Sequence, residues 1–128
     1  MADKVNRVSD AESAVMKVLW GNKTPMTERQ ILVALGKESD WSPTTIKTLL
    51  KRLLDKGAVQ REKKEVFHYV PVLSQAEFAK ERTVDLVNRV FDGNAKSLVS
   101  AMLNNDILSD DDMDDLKTYW QERKKKNE

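Results

Sequence analysis

Apolar residues recur along the first half of the chain in three blocks with helical spacing, and each block is closed by a glycine. The first block carries Ala11, Val15, Met16, Val18, Leu19 and Trp20. It opens on Ser9-Asp10-Ala11-Glu12, a Ser-x-x-Glu capping box, and stops near Gly21. Thr24-Pro25-Met26 reads as a short extended link. Thr27 with Gln30 forms a second capping box, followed by Ile31, Leu32 and Leu35 and a stop at Gly36. Ser42-Pro43 starts the third helix, with Ser as N-cap and Pro at the first position, where its missing N–H costs nothing. Ile46, Leu49, Leu50, Leu53 and Leu54 then fall at i, i+3, i+4, i+7 and i+8, and Gly57 ends the run. The other face of this helix holds Thr44, Thr45, Lys47, Thr48, Lys51, Arg52 and Asp55.

Between Ala58 and Pro71 the helical period disappears. Val59, Arg61 and Lys63 share one face of a strand, a turn follows near Lys64-Glu65, and Val66 to Val70 is rich in β-formers. This predicts a β-hairpin with a charged tip, closed by Pro71. Helical spacing then returns. Ser74 and Glu77 form a third capping box for a helix with Phe78, Val84, Leu86, Val87, Val90 and Phe91, ending at Gly93. Residues 95–104 form a short amphipathic helix with Leu98, Val99, Met102 and Leu103. Ser109 starts the last helix, whose Asp110, Asp111 and Asp112 at one end and Arg123-Lys124-Lys125-Lys126 at the other complement the helix dipole. The pattern predicts a mainly α protein with a small β-hairpin and no internal repeat.

Composition narrows the chemistry. The 128 residues include no Cys and one His, which excludes disulfides, thiolate metal sites and cysteine nucleophiles and leaves no His-based metal cage. Four scattered Gly residues make no phosphate-cradling loop. The longest apolar run, Ile31 to Leu35, is too short to span a bilayer, and Met1-Ala2-Asp3-Lys4 does not read as a signal peptide. The acidic run between Asp110 and Asp115 lacks the alternation and mid-loop Gly of a calcium loop. A cytoplasmic protein without enzymatic activity, cofactor, metal or membrane insertion is expected.

The net charge of +1 conceals a split. Residues 1–72 hold 13 basic and 9 acidic side chains, a balance of +4; residues 73–128 hold 9 and 12, a balance of −3. Seven of the basic residues lie between 42 and 64. Two modules are expected, 1–72 binding a polyanion and 73–128 with another task.

Helix, helix, Pro-initiated helix and charged hairpin is the order of a winged helix-turn-helix, whose third helix enters the DNA major groove while the wing lies on the backbone. Small Thr side chains near the start of the third helix allow close approach. Arg suits bidentate contact with guanine, Lys neutralises phosphate, and the helix N-terminus offers N–H groups to a phosphate. The candidate DNA-binding residues are Ser42, Thr44, Thr45, Lys47, Thr48, Lys51 and Arg52 on the helix and Arg61, Lys63 and Lys64 on the wing. Trp41 is expected to pack beneath the helix entrance, and His68 is an ordinary wing or packing residue. The apolar residues of the second module exceed what three short helices can bury alone. Leu86, Val87, Val90, Phe91, Leu98, Val99, Met102, Leu103, Leu116 and Trp120 are the candidate dimerisation residues. A winged-helix adaptor that does not read DNA is the alternative; it calls for apolar residues on the outer face of the third helix, which this sequence lacks.

Ser9-Asp10-Ala11-Glu12 through Val15-Met16-Lys17-Val18-Leu19-Trp20, Trp41-Ser42-Pro43-Thr44-Thr45-Ile46-Lys47-Thr48-Leu49 with Arg52-Leu53 and Lys56-Gly57, and Phe67-His68-Tyr69-Val70-Pro71 resemble the penicillinase-repressor (BlaI/MecI-type) family of winged-helix repressors. The resemblance continues through Val87-Asn88-Arg89, Phe91, Gly93, Leu98-Val99, Asp106 and Leu108-Ser109, and so covers nearly the whole chain. It implies a homodimeric repressor on a palindromic DNA operator of a β-lactam-resistance-type or related stress operon. Thr44, Thr45, Thr48 and Arg52 would contact DNA, supported by Lys47 and Lys51. It also implies a membrane sensor protease acting indirectly, with cleavage at an Asn–Phe junction whose position is held here by Ala101-Met102, neither of which matches. The copper-responsive branch of the superfamily carries a C-terminal cysteine motif that is missing from this sequence.

Overall fold

The computed structural model describes residues 8–37 and 39–127. Its contacts group into two compact units, dividing between Arg82 and Thr83. The first unit contains α1 (Asp10–Gly21), β1 (Met26–Thr27), α2 (Glu28–Gly36), α3 (Pro43–Lys56), β2 (Val59–Lys63), β3 (Phe67–Pro71) and the first turns of α4 (Gln75–Val90).

Local side-chain chemistry sets the helix ends. Ser9 Oγ accepts the N–H of Glu12 at 3.1 Å and Glu12 Oε1 accepts that of Ser9 at 2.9 Å. Thr27 and Gln30 repeat the exchange at the start of α2. Ser42 Oγ accepts the N–H of Thr45 at 3.2 Å ahead of Pro43. Gly57 ends α3 at φ 78°, a left-handed conformation that only a residue without Cβ adopts freely. There the N–H of Gly57 reaches Leu54 O and that of Ala58 reaches Leu53 O, a Schellman motif that turns the chain into the wing.

One core fills this unit. Val15 and Met16 of α1, Ile31 and Leu35 of α2, and Ile46, Leu50 and Leu53 of α3 are almost wholly buried, with Val59 and Tyr69 beneath the sheet. Trp41 is partly buried against this core at the entrance to α3. The hairpin pairs Val59 with Pro71 through Lys63 with Phe67. It gains a third strand: Met26 and Thr27 pair with Tyr69 and His68, so the sheet order is β1-β3-β2. Of the extended Thr24-Pro25-Met26 link, Met26 joins the sheet and its side chain is buried in the core.

The second unit contains the rest of α4, α5 (Ala95–Asn104) and α6 (Asp110–Lys126). Helix α4 stops at Val90 rather than running to Gly93, because the Gly93 N–H turns back to Val87 O with Gly93 at φ 84°. Asn94 caps α5, and Ser109 with Asp112 forms a capping box for α6. None of the described residues of this unit is buried. Among the described residues, no helix is long and apolar enough to cross a membrane, and no group of His, Cys, Asp and Glu could hold a metal ion.

Candidate nucleic-acid interface

Helix α3 is divided cleanly by burial. Ile46, Leu49, Leu50 and Leu53 lock its inner face into the core, so the opposite face must point outward. Ser42, Thr44, Thr45, Lys47, Thr48, Lys51 and Arg52 are all exposed. Ser42 serves as the cap described above, and Thr48 Oγ1 donates to Thr44 O at 3.0 Å, which pins its rotamer. The two lysines are lightly held: Lys47 Nζ lies 3.7 Å from Glu28 Oε2, and Lys51 Nζ lies 3.3 Å from Asp55 Oδ2. Exposed pairs of this kind contribute about 0–1 kcal/mol, so a phosphate can replace the carboxylate at little cost.

The wing carries its cations in a defined arrangement. Arg61, Lys63 and Lys64 are exposed. The Arg61 guanidinium lies 4.2 Å, and the Lys63 ammonium 4.9 Å, from the centroid of the Phe67 ring. Lys63 pairs directly with Phe67 across the hairpin, and Arg61 is the next residue on the same strand face. Phe67 therefore stays 39% exposed, as a platform that orders two otherwise mobile cations. Its place in the wing was legible in the sequence; its link to Arg61 and Lys63 depends on the register, which the sequence leaves open. His68 Nδ1 lies 3.0 Å from Val66 O, within the wing itself.

One basic residue of the 42–64 run is not on this surface. Lys56 turns inward and pairs with Glu12, whose side chain is 2% exposed. Burial alone pushes the Glu12 carboxyl up. The Lys56 ammonium and the Ser9 backbone N–H outweigh it and hold the group below its ordinary value. The signal for this pair is present in the sequence. Lys56 lies three residues after Leu53, and Glu12 three before Val15, each on its helix's apolar stripe.

In the second unit, Leu86, Val90, Val99, Leu103, Leu116 and Trp120 are exposed, Trp120 by 60%. Val87, Phe91, Leu98 and Met102 are half-buried. Ala101 and Met102 lie inside α5, where Ala101 O accepts both the N–H of Asn105 at 3.1 Å and its Nδ2 at 2.7 Å. A protease acting at this peptide bond would first have to unwind the end of α5.

The family model described as penicillinase repressor matches residues 8–122. The penicillinase repressor of Bacillus licheniformis is 36% identical over 122 residues, 94% of each chain. The methicillin resistance regulatory protein MecI of Staphylococcus aureus (strain N315) is 30% identical over 118 residues, covering 91% of this chain and 95% of its own. The solution structure of the DNA binding domain of the repressor BlaI matches with a TM-score of 0.52 and 39% identity, over 57% of this chain and 89% of that one. The Bacillus licheniformis BlaI monomeric form in complex with the blaP half-operator matches with a TM-score of 0.50 and 40% identity, over 56% of this chain and 87% of that one. With its winged helix in the first unit and a family match running on through most of the second, the chain belongs to the penicillinase repressor family.

Proposed function

We propose that this chain is a transcriptional repressor without enzymatic activity, which binds a palindromic DNA operator as a homodimer. The observation that carries the reading is the outer face of α3, where after Ser42 and Pro43 at the helix start the exposed residues are Thr, Lys, Arg and Asp, while the inner face is buried in the core. Helix α3 enters the major groove. Thr44, Thr45 and Thr48 approach closely, Arg52 reads a base edge, and Lys47 and Lys51 exchange their exposed carboxylate partners for phosphates. The wing lays Arg61, Lys63 and Lys64 on the adjacent backbone. A second copy covers the exposed apolar residues of the second unit, and two-fold symmetry then sets two α3 helices on two half-sites. Likeness to proteins named for penicillinase and methicillin resistance favours an operon of the β-lactam-resistance type.

The test is a gel-shift titration of the full chain against a palindrome selected from random duplexes. A dimer-sized complex whose affinity falls steeply with salt is expected, because each neutralised phosphate releases counterions. Equal affinity for selected and random DNA would remove sequence-specific repression. Arg52→Ala is expected to lose about 1–3 kcal/mol, concentrated at one base pair of the site. A loss spread uniformly over all sequences would assign Arg52 to phosphate instead. Phe67→Ala should lower affinity for every sequence alike, by about threefold, because freeing Arg61 and Lys63 from the ring costs under about 1 kcal/mol and alters no base contact. Anisotropy titrations on specific and random duplexes would expose a sequence-dependent loss if Phe67 reads a base.

A further inference from the structure

Every residue of α6 is exposed, Met113, Leu116, Tyr119 and Trp120 among them. Met113, Leu116 and Trp120 fall at i, i+3 and i+7, with Arg123 at i+10, which is the spacing of a coiled-coil seam. The helix is also divided in charge along its length. Residues 110–117 hold five acidic side chains and one basic, a balance of −4; residues 118–126 hold four basic and one acidic, a balance of +3. The helix dipole accounts for charges in the first and last turns. Asp114 and Asp115 lie beyond the first turn, four residues after Asp110 and Asp111, a spacing at which like charges repel. Among the described residues, no side chain of α6 takes part in a salt bridge. The helix thus carries an open apolar seam between two ends of opposite and uncompensated charge.

We infer that α6 pairs with α6 of a second copy in antiparallel orientation, its acidic half against the partner's basic half. This rests on the proposed homodimer and names the surface and direction of its pairing. Parallel helices would set acid beside acid and base beside base. In the antiparallel seam, Leu116 packs on the partner's Trp120, and Met113 on the stem of the partner's Arg123. A two-fold axis near Thr118 brings each flank of the seam against its own copy. On one flank Asp110 then faces the partner's Lys124; on the other Asp112 faces the partner's Lys126. Symmetry forms each pair twice. Lys117 meets its own copy, and its flexible stem carries the ammonium out to water.

The sequence has no Cys, so single-cysteine variants of the full-length protein report the pairing directly. Asp110→Cys and Lys124→Cys are treated with a short bis-maleimide, each alone and as an equimolar mixture after subunit exchange. The mixture is expected to give about fivefold or more cross-linked dimer than either variant alone, because only the mixed dimer brings the two positions together. By sedimentation, Lys124→Glu should dimerise about tenfold more weakly than wild type, since acid then faces acid twice. Mixing it with Asp110→Lys should restore dimerisation to within about threefold, a recovery that a merely weakened helix would not show. Cross-linking of each cysteine variant alone, with no gain on mixing, would mean parallel helices and overturn the orientation. Absence of cross-links in a protein that still sediments as a dimer would place the interface elsewhere, overturning the inference and leaving the homodimer reading intact. A wild-type chain that sediments as a monomer would overturn that reading, together with the inference built on it.

Discussion

Deleting residues 83–128 is expected to weaken binding to the selected palindrome by about two to four orders of magnitude, with little change at an isolated half-site. The remaining unit keeps its core intact, since Val15, Met16, Ile31, Leu35, Ile46, Leu50, Leu53 and Val59 all lie within it. It also keeps α3 and the wing. What it loses is the second copy. In the proposed dimer, docking of one α3 makes docking of the other an intramolecular step at an effective concentration in the millimolar range. The deleted segment carries none of the candidate DNA-binding residues and has a net negative charge balance, so its expected effect on affinity comes through this linkage. Titrating full-length and shortened proteins against full and half palindromes separates the cases. Equal affinity of the two proteins for the full palindrome would show that the second unit adds nothing to binding. A matched loss on half-sites would show that it touches DNA or supports the fold of the first unit.

The parts of this fold that were legible in the sequence are those decided by residues close together in the chain. Ser9 with Glu12, Thr27 with Gln30, Ser42-Pro43 and Gly57 act within a turn of where they stand, and the helices start or stop at those places. The split of α3 into an apolar and a Thr/Lys/Arg face follows from period alone, and with it the candidate DNA surface. What the sequence left open is decided by partners far away. Strand β1 has only two residues and exists because Met26 and Thr27 meet Tyr69 and His68, more than forty positions on. The Arg61–Phe67–Lys63 arrangement needs the hairpin register. Arg82 bonds to residues more than seventy positions earlier, and no local pattern announces that. Lys56 is instructive in another way: counted as charge it belongs with the DNA-facing lysines, yet its place on the apolar stripe says that it turns inward.

That inward turn makes Lys56→Met the substitution with the largest expected effect on stability, about 3 kcal/mol near neutral pH. Glu12 is 1% exposed and is tied by Ser9 N–H, so it cannot turn to water when the ammonium is removed. Stranding a carboxylate in this way costs more than the pair itself contributes, because the desolvation is then uncompensated. The effect carries a signature in pH. In wild type the folded Glu12 carboxyl is held below its ordinary value of 4.5, so its stabilisation is present above that value and is lost as pH falls through the lower folded one. In Lys56→Met the lowering by the cation is gone while burial remains, so the folded value lies above that of wild type, and the charge-dependent part of the lost stability vanishes as acid protonates the group and grows as pH rises. The stability gap between the two proteins should therefore be wide at pH 7 and shrink steadily toward pH 4. Adding Glu12→Gln to Lys56→Met should recover part of the loss at pH 7, since no charge is then buried, while the amide oxygen can still accept the Ser9 N–H. Urea titrations of the three proteins at both pH values measure each of these differences. A gap that stays constant with pH would mean that Lys56 stabilises the end of α3 by packing alone, and that the Glu12 charge is carried by the Ser9 cap without it.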